Sequence, residues 1–187
     1  GWDVDTSIAS LEPVLRLSEA TQMDLATCSD LVTDSMSALG LTADQLTDYL
    51  NVTCQANNKS NTTAQALMEA MIGCGGAAKS AGMDYKQTAA ALGILANNGV
   101  KGAEAGTALN SMLVRMTTKD VAQKAFKELG VSIYDSSGQM RNMQDILVEL
   151  NGAMSGLTQE QKNNYMSAIA GTNYYTQFGY LLEGVKE

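Results

Sequence analysis

The feature that most constrains this chain is its punctuation. Residues that open a helix and residues that stop one alternate roughly every 15 positions along all 187 residues. Asp24 and Asp84 each follow a Met and precede a periodic apolar stretch, with Gln87 three beyond Asp84. Thr42-x-x-Gln45, Thr62-x-x-Gln65 and Thr158-x-x-Gln161 have the form of capping boxes, in which a hydroxyl and an amide satisfy orphan backbone N–H groups. Asn142 with Asp145 is a weaker version. Gly40, Gly99 and Gly130 follow periodic segments and suit the left-handed residue past a helix end. Between these marks the apolar residues step by three and four: Leu25, Cys28, Val32, Met36, Leu39; Ala105, Leu109, Met112, Met116; Met143, Leu147, Leu150, Met154.

The expected fold is therefore all-α, a compact multi-helix domain of stacked helical hairpins. Helices are expected near 7–20, 24–39, 43–57, 63–80, 84–98, 103–116, 118–129, 142–156, 159–170 and 173–184. One segment breaks the pattern. Val131-Ser-Ile133-Tyr134 alternates, Asp135-Ser-Ser-Gly138 is turn chemistry, and Met140 follows, so at most one short β-hairpin is expected at about 131–140. An isolated hairpin is marginal alone and must lean on neighbouring helices. Two units are expected, 1–79 and 80–187, either separate or continuous as one domain. A weak repeat supports them: Ala20-Thr-Gln-Met23-Asp24 resembles Ser80-Ala-Gly-Met83-Asp84 sixty residues on, and Gly40-Leu41 resembles Gly99-Val100.

Composition excludes several chemistries. The chain has no histidine, which removes His-based triads and His-ligated metal sites. Cys28, Cys54 and Cys74 form no CxxC pair and read as small core residues of a reduced protein. Gly73-Cys-Gly75-Gly-Ala-Ala78 formally matches a dinucleotide-binding pattern, yet a helical stretch precedes it where a strand is required. Its glycines point instead to close helix packing or a kink, and no cofactor is expected. Glu12, Glu69, Glu104 and Glu128 are the candidates for paired-carboxylate hydrolysis, but each sits among polar helix neighbours where a solvated charge is the ordinary outcome. No catalytic or metal-binding residue is assigned. The sequons at Asn51, Asn58 and Asn61 read as cap and loop chemistry.

Charge points to partners. The net charge is −8, and residues 1–58 hold nine acids against the single base Arg16, while the remainder balances. Nucleic acid is not an expected ligand. The acidic third is either a solubility device or a face that meets a basic partner. The 11 methionines, mostly on the stripes, fill a core or form an adaptable interface. Met112, Met116 and the aromatic run holding Tyr174, Tyr175 and Tyr180 are the candidate interface residues. No apolar run reaches the roughly 18 residues needed to span a bilayer, and no signal peptide is visible at residues 1–20. The first residue is Gly rather than Met, as in a piece of a longer chain.

Particular strings add a resemblance. Gly82-Met-Asp-Tyr-Lys-Gln-Thr-Ala-Ala-Ala-Leu92, Asn98-Gly99-Val-Lys-Gly102-Ala-Glu-Ala-Gly-Thr-Ala-Leu109 and Leu129-Gly130-Val-Ser-Ile-Tyr-Asp135-Ser-Ser-Gly138 resemble the core region of phage tail tape-measure proteins. So do Leu157-Thr-Gln-Glu-Gln161, Ile169-Ala-Gly171-Thr and, upstream, Ala38-Leu-Gly40-Leu-Thr. The resemblance implies a structural protein of the tail of a long-tailed phage or prophage, located in the virion tail and, during assembly, in the host cytoplasm. It implies a role in setting tail length, in assembly and in DNA ejection, with no catalytic residues in this region. The implied partners are tail tube and tail-tip proteins and tail-assembly chaperones. Self-association is expected, and membrane contact during ejection is an open possibility. A prophage helical binding or membrane-active module is the alternative reading, with a cell-wall hydrolase ranked behind it.

Overall fold

The computed structural model describes residues 4–185. Within them the chain forms ten α-helices: α1 (Val4–Thr21), α2 (Leu25–Leu39), α3 (Leu46–Lys59), α4 (Ala64–Ala81), α5 (Tyr85–Asn97), α6 (Gly102–Thr118), α7 (Asp120–Glu128), α8 (Met143–Met154), α9 (Gln159–Ala170) and α10 (Tyr175–Gly184). The expected all-α class and the ten expected helices are all present. A 3₁₀ turn, Ala43–Gln45, leads into α3, so the element expected from 43 opens as a tighter turn.

The caps explain where these helices start. Asp24 Oδ2 accepts from the Thr27 N–H at 2.9 Å, and Asp84 Oδ1 from the Gln87 N–H at 2.8 Å. Thr158 and Gln161 close a full capping box at 3.3 and 2.9 Å. Two starts differ from expectation. Thr63 rather than Thr62 caps α4, accepting from Ala66 N–H at 3.1 Å. Asn142 caps α8 alone, through Gln144 N–H at 2.8 Å.

The stops share one geometry. At α2, α4, α5 and α7 a left-handed Gly (Gly40, Gly82, Gly99, Gly130) is followed by an apolar residue. The N–H of that residue reaches back five positions: Leu41 to Met36, Met83 to Ala78, Val100 to Leu95, Val131 to Phe126, at 2.8–3.0 Å. Met83, Val100 and Val131 are buried, so each stop also anchors the chain to the core.

α4 is the central element, packed on α2, α3, α5 and α6. It is one unbroken helix through Gly73-Cys-Gly75-Gly76, so the glycines make no kink. Gly73 and Gly75 make close approaches instead, while Gly76 faces open space. A Cβ at Gly75 would come within 2.7 Å of the Ala38 carbonyl carbon on α2, and one at Gly106 would overlap the Ala70 carbonyl oxygen on α4. The α7–α9–α10 group packs beside α6, with α10 also against α5 and α8. One buried cluster runs from Val14 to Leu182 and takes in residues from both sequence units.

The segment expected as a hairpin is reduced to one antiparallel bridge, Tyr134 with Met140, and no strand occurs among the described residues. Asp135 organises it: Oδ1 accepts from Ser137 N–H, Ser137 Oγ and Gln139 N–H at 2.8, 2.6 and 3.0 Å, and Gly138 sits at φ 80°. The loop leans on the helices through buried Val131 and Ile133 and through Tyr134 Oη, which donates to the Thr117 carbonyl at 3.3 Å.

Candidate interaction surface

The chemistry-bearing residues are scattered and solvated. Glu12 pairs with Arg16 at 2.6 Å across one turn of α1. Glu69 accepts from Gln65 Nε2 at 2.9 Å on α4, Glu104 is exposed in the first turn of α6, and Glu128 accepts from Tyr165 Oη at 3.4 Å. They lie on four different helices, far from forming a carboxylate pair, which is a surface arrangement. Among the described residues no group of three His, Cys, Asp or Glu could hold a metal ion. Burial pushes the Cys28 and Cys54 thiols up and the Cys74 thiol up to about 12, so each is a poor thiolate at neutral pH. The glycine pattern at 73–78 lies inside α4, and the Gly75 backbone it would offer to a phosphate is covered by Ala38. Asn57, rather than a sequon asparagine, links α3 to α4 by accepting from the Ala64 N–H at 3.0 Å. Asn51 lies within α3, and the Asn61 N–H donates to Asn97 Oδ1 at 2.8 Å.

The five candidate interface residues do not form one surface. Met112 and Met116 are each 1% exposed, on the face of α6 that fills the core. The 3-4 stripe that singled them out is a packing stripe in this fold. Tyr174 and Tyr180 are half-buried against the core, and Tyr175 is the outermost of the aromatics at 36% exposure. Phe178, between them, is fully buried. Tyr174 borders a cleft of about 430 Å³ with Arg115, whose Nε donates to the Ala168 carbonyl at 3.1 Å and ties α6 to the end of α9.

The apolar surface lies elsewhere, on α1. Val4, Ile8, Leu11 and Leu15 are 74, 68, 54 and 36% exposed. Their spacing puts them on one face of the helix. A neighbouring face of α1, about a third of a turn round the helix, carries buried Ser10, Val14 and Leu17. α1 is thus apolar on two faces, and the fold covers one. Sequence reasoning missed this surface, although its signal was present: the 4-3-4 spacing of residues 4–15 stands beside a second apolar set. Periodicity reveals both sets and does not say which one meets the core.

The profile of the family described as phage-related minor tail protein matches residues 1–171. The chain is 34% identical, over 92% of its length, to a tape measure protein of Pneumococcus phage Dp-1. It is 29% identical, over 91% of its length, to a probable tape measure protein of Escherichia phage P2. It spans 15% and 21% of the length of those two relatives. No solved structure matches it.

Proposed function

The chain belongs to the phage-related minor tail protein family, and from that premise we propose that it is a folded module of a tape measure protein. The family is one of phage tail structural proteins, and the proposal assigns no reaction to any residue. The observation that carries it is the alignment of 92% of the chain with a protein named as a tape measure. In this reading the whole protein sets tail length and assists assembly and DNA ejection. This module resides in the virion tail after assembly in the host cytoplasm, and it meets tail tube and tail-tip proteins and assembly chaperones.

The caps refine what the module contributes. A continuous helix of this length would extend about 280 Å at the standard rise. Among the described residues the longest helices have 18 residues, and the ten helices pack against their neighbours instead of running on as one rod. The segment therefore works as a compact unit within a long protein rather than as a stretch of extended ruler. In-frame removal of this module from the tape-measure gene of a phage, with tails measured by electron microscopy, tests this. The expected result is failed assembly or loss of infectivity. Infectious particles with tails shorter by about 280 Å would overturn it.

A further inference from the structure

The α1 stripe stands out because soluble domains rarely leave a continuous apolar face open. Beside the stripe, a groove of about 570 Å³ runs between α1 and α2, lined by Leu11, Val14 and Leu25 (39% exposed) with Ser10, Asp24 and Ser29 among its polar members. At helical spacing, Asp5, Glu12 and Glu19 fall along one flank of the stripe. The only base on the helix, Arg16, is already paired with Glu12.

We propose that this face is a docking site for a positively charged amphipathic helix of a partner polypeptide. Its apolar side would lie on Val4, Ile8, Leu11 and Leu15, and its lysines or arginines would meet Asp5, Glu12 and Glu19. Charge selects this occupant. Two copies of the same face would bring two acidic flanks together, a repulsive arrangement at an interface. A lipid surface recruits helices whose polar flank is basic, and this flank is acidic. Residues 59–187 hold eleven acids and eleven bases, so these residues carry no basic excess to complement the acidic flank. Partner helices of this type seat apolar anchors at three- and four-residue steps, the spacing found here. The inference goes beyond the tail reading and does not depend on it.

The test titrates the 187-residue chain with a fluorescent Leu/Lys amphipathic helical peptide matched to the 18 residues of α1. The control is the same peptide with Glu in place of Lys. Binding of the basic peptide that weakens with salt, and weakens by about tenfold or more in the Ile8→Glu/Leu11→Glu variant, is expected. Both replaced side chains are exposed, so the melting curve should be unchanged. Should that variant unfold, Asp5→Lys/Glu19→Lys, which leaves the stripe intact, must lose the same binding. Equal binding of the Glu peptide, or no loss in either variant, overturns the proposal. So does sedimentation showing a dimer that Ile8→Glu/Leu11→Glu dissolves, since the occupant is then a second copy. Cosedimentation with anionic vesicles that is lost in the same variant also overturns it, in favour of a membrane.

Discussion

Gln22 and Gly82 hold the same left-handed backbone sixty residues apart, at φ 58° and φ 76°. Each is followed by a Met whose N–H reaches back five residues, Met23 to Ser18 at 3.1 Å and Met83 to Ala78 at 2.9 Å. Each Met is followed in turn by the Asp that caps the next helix. The weak sequence repeat thus marks one structural device used twice, with the glycine supplied in only one copy.

Because a side chain in the left-handed region costs about 1 kcal/mol or more, Gln22→Gly should stabilise the chain by about 0.5–1 kcal/mol. The gain is trimmed by loss of the exposed Gln22 Nε2 bond to the Glu19 carbonyl. Gly82→Gln should cost a similar amount. Chemical denaturation of both variants checks the pair. A destabilised Gln22→Gly would show that its side chain matters more than its backbone.

Gly76 and Gly106 both lie inside helices and should respond to alanine with opposite sign. Nothing lies within 4 Å of a Cβ built at Gly76, so Gly76→Ala should stabilise by about 0.5–1 kcal/mol through helix propensity. At Gly106 the same methyl meets the Ala70 backbone of α4, and forcing the helices apart should cost about 1–3 kcal/mol. Equal effects in thermal melts would contradict the close α4–α6 approach.

Met112 and Tyr175 separate core from surface. Met112→Glu places an unpaired carboxylate among buried side chains and should unfold the chain, while Met112→Ala should cost about 2–4 kcal/mol. Tyr175→Ala should stay within about 0.5 kcal/mol of the parent. A folded Met112→Glu protein by circular dichroism would refute the burial of that stripe.

Stability should fall at both ends of the pH scale, for different groups. The hydroxyl and N–H donors around Asp24 and Asp135, Lys86 and Tyr85 beside Asp48, and Arg141 beside Glu149 hold these carboxyls below their ordinary values of 3.8 and 4.5. Their contribution is present above those values and lost as pH falls through the lower folded ones. At the other end, burial raises the Tyr49 hydroxyl and the Cys74 thiol to about 12 from 10.0 and 9.0. The unfolded chain ionises first, so stability declines as pH rises above about 9. Denaturant midpoints from pH 2.5 to 11 check both limbs, and Asp135→Asn should flatten the acid limb.

The local record was legible to within a few residues because its causes are local. A cap is a side chain within three positions of the N–H it satisfies, and a left-handed stop closes over five, so Asp24, Asp84, Thr158, Gly40, Gly99 and Gly130 could be read without the rest of the molecule. The exceptions are local competitions. Thr63 took the cap from Thr62, and Asn142 acted without Asp145.

By itself, then, the sequence determined the helices, their ends and the absence of histidine chemistry. Its particular strings pointed to the tail family. Tertiary structure alone decided which apolar stripe meets a neighbour. The Met112–Met116 stripe and the Val4–Leu15 stripe have the same spacing, yet the first is core and the second is surface. The difference arises because Gly106 and Gly75 let α6 and α2 close on α4, while no helix closes over the outer face of α1 among the described residues. Periodicity is a property of one helix, and burial is a property of the helices that pack against it.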